Sequence, residues 1–219
     1  MGQTYIIDRL RLITYKGQKR KTLRALHCRY MAKSHIVNCD AELQKFTFVN
    51  FRGSHFTKVN FKKAVFHGCD FWGTTFNSCL FHNTEFRDCV FMGCKFKNCD
   101  FSTATFSYSI VVNTNLAGFK NINDLSGIRI YNIYPTCNMS DELSIVLQEL
   151  KDNRDLRKNK LLFISDTKYN HLNLFLLQKR YGDSLPNLLH SLASCPTSQI
   201  TTYKKLERTL NGLKSSAII

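Results

Sequence analysis

The chain has 219 residues, 43% hydrophobic and 21% charged, a balance that excludes an intrinsically disordered polypeptide and suits one large domain or two small ones. Against 16 Asp and Glu stand 31 Lys and Arg, a formal net charge of +15. No stretch approaches the roughly 20 apolar residues of a membrane helix, and MGQTYIIDRLRLITYKG sets Asp8 and two arginines where a secretory signal needs an apolar run. The expectation is a cytoplasmic protein with no membrane contact and reduced thiols, export by a signal-less route staying open. Nine cysteines is also an odd number, so they cannot all pair internally.

Residues 1–33 carry nine of the basic residues and one acidic residue. They read as extended segments, TYIIDRLRLITY and KTLRALHCRYM, around KGQK, whose Gly17 suits a turn. The spacing predicts a hairpin or a capping strand over the first coil, shielding the open edge of the region beginning at residue 34. Its tip, Lys16, Lys19, Arg20, Lys21 and Arg24, is either a solvated turn or a contact for an anionic partner such as nucleic acid.

Residues 34–119 are organised by a period of five. Phe stands at 46, 51, 56, 61, 66, 71, 76, 81, 86, 91, 96, 101 and 106; Val111 and Leu116 continue the register, and Ile36 and Ala41 precede it. Two positions before each centre the residue is small or β-branched from Val49 to Thr114, and five of these are Cys69, Cys79, Cys89, Cys94 and Cys99. On an α-helix five residues advance about 500°, so the rings would wander around the cylinder. On a flat strand an odd period alternates faces. All the rings point inward only if the backbone turns by a fixed amount in each repeat, which makes a coil, and coils stack into a solenoid.

FTKVNFKKAVFHGCDFWGTTFNSCLFHNTEFRDCVFMGCKFKNCDF resembles the pentapeptide-repeat proteins with Phe at the central position. The resemblance implies a right-handed quadrilateral β-helix of four repeats and twenty residues per coil, with the central and i−2 side chains inside. Repeats from Ile36 to Leu116 then make about four coils, a rod of roughly 20 Å at the ~4.8 Å spacing of strands.

A twenty-residue coil lets outward columns be read directly. Beside Phe51, Phe71 and Phe91 run Arg52, Trp72, Met92 and Val112 on one side, and Asn50, Asp70, Val90 and Ile110 on the other. Trp72, Met92, Val90, Ile110 and Val112 thus form an apolar patch, covered either by the chain's own C-terminal helices or by a protein partner.

After a transition over 120–139, residues 140–219 turn helical. Ser140 suits an N-cap before a stripe of Leu143, Val146, Leu147 and Leu150. KYNHLNLFLLQKRYG ends at Gly182, LPNLLHSLAS starts near Pro186, and Ile200, Tyr203, Leu206, Leu210 and Leu213 stripe a last helix; LLFIS at 161–165 is open between helix and strand. This module is a cap or a homodimerisation element.

No phosphate-binding loop, zinc-protease motif or nucleophile elbow occurs. The cysteine spacing C-x4-C-x4-C follows the repeat, so core packing is the expected role, with a metal or a disulfide as the alternatives. No cofactor or catalytic residue is expected. The functional expectation is a non-catalytic scaffold, adaptor or modulator of a protein partner. Alternatives are direct nucleic-acid binding through the basic tip, and a bacterial effector or anti-phage component. The resemblance adds a contact with DNA gyrase, as in the quinolone-resistance members that imitate DNA, but a chain of +15 lacks the negative charge such mimicry needs.

Overall fold

The computed structural model describes residues 13–14 (backbone), 20–122 and 124–216. The chain divides into two compact units, Met1–Asn132 and Ile133–Ile219.

The first unit is a parallel β-solenoid of about six turns. Each coil advances twenty residues: Phe56 pairs with Phe76 and Phe76 with Phe96 on one face, and Phe46, Phe66, Phe86 and Phe106 align on another. We number the faces by their centres: face 1 carries Ile36, Phe56, Phe76 and Phe96, and face 2 Ala41, Phe61, Phe81 and Phe101. Face 3 carries Phe46, Phe66, Phe86 and Phe106, and face 4 Phe51, Phe71, Phe91 and Val111. Faces 1 and 3 are continuous sheets, face 4 is a sheet from Asp70 onward joined to the Phe51 coil by the Asn50 to Asp70 bridge, and face 2 is one two-stranded sheet continued by single bridges such as Asn60 to Leu80 and Leu80 to Asp100.

Period five works because every coil turns its corner through a left-handed residue. From Cys28 to Asn113 each fifth residue has positive φ, for example Lys58 at 53°, Gly73 at 61° and Asn98 at 52°. Glycine and asparagine accept this region readily, whereas Leu43, Phe48 and Thr103 are held there at a cost of about 1–2 kcal/mol each. The ladder supplies compensation, since from Cys28 to Gly93 the N–H at each corner donates to the next coil, as Lys58 does to the Asn77 carbonyl at 2.9 Å.

Inside, rings stack up the axis and meet edge-on around it. Phe66 and Phe86 lie 5.1 Å apart at 5°, while Phe61 meets Phe66 at 5.3 Å and 66°. Both arrangements suit the quadrupole of the ring. The residue two before each centre fits beneath its neighbours and, where it has a donor, bonds backward. Thr74 donates to the Phe51 carbonyl at 2.9 Å, Thr84 to Phe61 at 2.7 Å, and Cys69 to Phe46 at 3.2 Å.

Of the two expected forms of the N-terminal cap, hairpin or capping strand, the described residues show strands laid parallel on the first coil. Ile13 pairs with Ile36, Lys21 with Cys39 and Leu26 with Phe46, all parallel. Leu23 and Met31 are buried in the core, with Leu26 packed against it, so these apolar side chains take inward seats that an antiparallel hairpin would not offer. The register here is uneven, because six residues separate Thr14 from Lys21 where one separates Val37 from Cys39. The KGQK turn lies outside the described residues.

The solenoid also runs further downstream than expected. Ile128–Tyr131 pairs with Ser109–Val112, so the first part of the transition segment is one more rung, nineteen residues on. Phe119, off the five-residue register, turns in and rests on Phe96 and Phe101 with centroids at 4.6 Å, closing that end of the core.

The second unit is helical. Its helices are α1 (Asp141–Glu149), α2 (Arg154–Lys158), α3 (His171–Tyr181), α4 (Leu185–Ala193) and α5 (Tyr203–Ser216). Ser140 caps α1 by accepting from the Leu143 N–H, Gly182 ends α3 at φ 54°, and Pro186 opens α4. The short helix α2, capped by Asn153, was not expected. Residues 161–165 form no helix; Phe163 makes one antiparallel bridge with Tyr169.

Candidate functional site

The inward positions of the coil hold no unused chemistry. Phe46 through Phe91 are all at or near zero exposure, and Cys39, Cys69, Cys79, Cys89, Cys94 and Cys99 are buried between them. Burial pushes the thiols of Cys79 and Cys89 up, and that of Cys94 up to about 12. The cysteines are free thiols, and each of Cys79, Cys89 and Cys94 donates to the carbonyl of a Phe one coil back. A protonated thiol with its hydrogen so engaged neither attacks nor ligates. Among the described residues, no group of three or more His, Cys, Asp or Glu side chains converges as metal ligands would.

The five apolar residues of face 4 share the expected columns: Met92 pairs with Trp72 and Val112 with Met92, while Val90 lies between Asp70 and Ile110. Sequence alone leaves open whether this patch is covered by the chain itself or by a partner; within this chain most of it is already buried. Trp72 is 5% exposed, Val90 1% and Val112 0%, with Met92 and Ile110 half-buried. The Arg52 guanidinium lies 3.9 Å from the Trp72 ring centroid, a cation–π contact along the column. Side chains of this size leave water wherever the folded chain can enclose them, and the column alone could not disclose that.

Of the basic tip, Arg20, Lys21 and Arg24 are exposed, and Lys21 stands in register with Cys39. Lys16 and Lys19 lie outside the described residues.

One cluster on face 2 combines the residue types of a hydrolytic triad. His82 Nε2 lies 2.7 Å from Asp100 Oδ2, and the Ser102 hydroxyl donates to Asp100 Oδ1 at 2.6 Å. The order is wrong for a relay: in a triad the serine proton goes to the imidazole, whereas here both partners converge on the carboxylate. The Ser102 hydroxyl, the Asn121 amide, the Ser102 N–H and His82 together hold the Asp100 carboxyl well below the usual carboxylate range, which makes it a poor base. The cluster is a structural clamp between coils.

A depressed carboxylate contributes stability that is present above its unfolded value, about 3.9, and is lost as pH falls through the folded value. Asp100→Asn should therefore melt below the parent at pH 7, with the gap narrowing as pH drops under about 3.9. A gap that persists unchanged in acid would assign the loss to shape rather than charge.

Two features of the coil carry no sequence motif. The positive-φ corner column is legible only as an enrichment in Gly and Asn, and the exposed His35–His55 ring stack (centroids 4.7 Å, 19°) follows from the twenty-residue coil but carries no motif. On α3, the His171 Nδ1 accepts from the Cys137 N–H at 3.4 Å, and the Cys137 thiol donates to Gln178 Oε1 at 3.2 Å; burial raises the Cys137 thiol, so the pair orients the start of this unit rather than forming a nucleophile. No helix among the described residues is long and apolar enough to cross a membrane.

Comparison with known proteins places residues 39–116 in a match to the family model for the pentapeptide repeat region. Among solved structures, a pentapeptide repeat protein of the cyanobacterium Cyanothece 51142 is 11% identical over 48% of this chain and 62% of its own, with a TM-score of 0.26. The chain therefore spans less than two thirds of that protein. A pentapeptide repeat protein of the Arabidopsis thaliana thylakoid lumen is 15% identical over 60% of this chain and 86% of its own, TM-score 0.32. Trypsin-treated QnrB1, a plasmid-mediated fluoroquinolone resistance protein, is 14% identical over 55% and 69%, TM-score 0.23. No curated protein matches.

Proposed function

Because residues 39–116 are a pentapeptide-repeat region folded as a β-solenoid, we propose that the chain is a non-catalytic scaffold that presents the outward columns of its coil to a macromolecular partner. One observation carries this reading. The inward side chains are consumed by ring stacking and by bonds to the coil below, so the chemistry left to the coil is its outward columns, fixed at one coil spacing by a rigid core. Faces 2 and 3 offer mixed polar columns such as Lys62, His82 and Ser102, or Thr47, His67 and Arg87.

Imitation of DNA fits these columns poorly. A duplex mimic needs stacked acids, whereas the column Asp40, Asn60, Leu80, Asp100 separates its two carboxylates by three coil steps.

A photoreactive amino acid placed in turn at Thr75 (face 1), Lys62 (face 2), Arg87 (face 3) and Ile145 (α1) tests the scaffold. The expected result is a macromolecular adduct that forms from one coil face and persists after purification under denaturing conditions. Adducts from Ile145 alone, or from no coil position, would remove the coil from the binding role.

A further inference from the structure

We propose that face 1 of the solenoid binds the phosphate backbone of duplex nucleic acid, independent of base sequence. The inference rests on the coil acting as a presenting surface, and it assigns that surface a ligand and a face.

Faces 2, 3 and 4 all carry carboxylates: Asp40, Glu42 and Asp100 on face 2, Glu85 and Asp88 on face 3, and Asp70 on face 4. The outward columns of face 1 contain none. They run His35, His55, Thr75, Lys95 before the centres and Val37, Thr57, Asn77, Lys97 after them, with Asn38, Lys58, Ser78, Asn98 at the corner. Lys33 stands at the opposite corner, immediately before this face. Lys33, Lys58, Lys95 and Lys97 are all exposed.

The four lysines therefore share a flat surface on which no acid neutralises them, and among the described residues no salt bridge involves them. Cations elsewhere do find carboxylate partners, as Arg87 does with Glu85 at 3.1 Å and Lys204 with Glu207 at 2.7 Å. Lys95 and Lys97 flank one centre, so they project together about 7 Å apart along the strand. Lys58 lies two coils away from Lys97, about 10 Å at strand spacing. Between them stand Thr57, Thr75, Asn77 and Asn98, short donors that suit phosphate oxygens. Their flatness and the absence of an element that could enter a groove limit the contact to the backbone.

This surface also differs from the basic tip. Lys21 pairs with Cys39 on face 2, whereas Lys95 and Lys97 flank Phe96 on face 1. The face retains its four lysines without the tip.

A protein that neutralises four phosphates should lose duplex affinity with a log–log salt slope of about −3.6. The test is fluorescence anisotropy of a labelled 20-base-pair DNA duplex with the full chain between 50 and 300 mM NaCl. Lys95→Gln/Lys97→Gln should reduce the slope by about 2 and weaken binding at 100 mM salt by about 50-fold. Lys58→Gln, on a different strand, should reduce the slope by about 1. Lys63→Gln on face 2 is the control and should change neither. Three results would overturn the assignment. The duplex does not bind; binding is lost with Arg20→Gln/Lys21→Gln while both face 1 variants keep the parental slope; or the chain binds anionic phosphatidylserine vesicles but not the duplex. Protein adducts from Lys62 or Arg87 in the crosslinking experiment, together with any of these, would leave the scaffold intact while removing its nucleic-acid ligand.

Discussion

Phe86→Ala should destabilise the solenoid by about 3–5 kcal/mol, the range for a fully buried ring replaced by a methyl group. Phe86 sits mid-stack, with Phe66 at 5.1 Å below and Phe106 at 4.8 Å above, and meets Phe91 edge-on at 5.4 Å. Its exposure is 1%. The backbone around the cavity is fixed by ladder bonds on both sides, for instance Glu85 N–H to the Ala64 carbonyl at 3.0 Å, so the coil has little freedom to collapse inward. Because a solenoid's stability is close to a sum over neighbouring coils, a void here also weakens the coupling of the two halves. Against a typical total of about 5–15 kcal/mol, the loss should be visible in urea unfolding followed by near-ultraviolet signals from the coil. A cost below about 1 kcal/mol would mean that the rings repack freely and that the axis is not the rigid element described above.

Gly127→Ala should detach the last rung at a cost of about 3 kcal/mol, the upper part of the overpacking range. A methyl group there would stand 1.8 Å from the Phe106 carbonyl oxygen and 2.6 Å from its carbon. Both are backbone atoms, so no rotamer change relieves the overlap. The adjoining strand Ile128–Tyr131 would lose its register with Ser109–Val112, and with it the bond from the Ser109 N–H to the Gly127 carbonyl at 3.1 Å. Hydrogen exchange should then show lost protection at Asn113, whose N–H donates to the Tyr131 carbonyl, while Phe66 and Phe86 strands stay protected. Gly73→Ala is the informative contrast: its new methyl meets nothing within 4 Å, so only the positive φ of 61° is strained, at about 1 kcal/mol. Equal effects at the two glycines would contradict the steric account.

The candidate surfaces were only partly legible in the sequence. The twenty-residue coil placed Trp72, Met92 and Val112 in one column and Lys95 and Lys97 on another face, because local turn geometry fixes which way each side chain points. It could not give exposure. Trp72 and Lys95 are both outward residues, yet one is 5% exposed and the other stands in solvent, a difference set by what the rest of the chain encloses.

The interior follows from residue pattern alone: thirteen phenylalanines in one register of five leave no backbone path except a coil with the rings inside. Tertiary structure decided how far that coil extends. Residues around Leu23, Leu26 and Met31 lack the Phe signal, and Ile128–Tyr131 lies outside the register, yet both join the stack. The physical reason is that coils are held by backbone hydrogen bonds to the strand of the coil below, and any segment that can pair and supply an apolar side chain inward satisfies them. The off-register Phe119 shows the same thing, closing the axis because the last coil leaves an open face of rings, not because a repeat places it there.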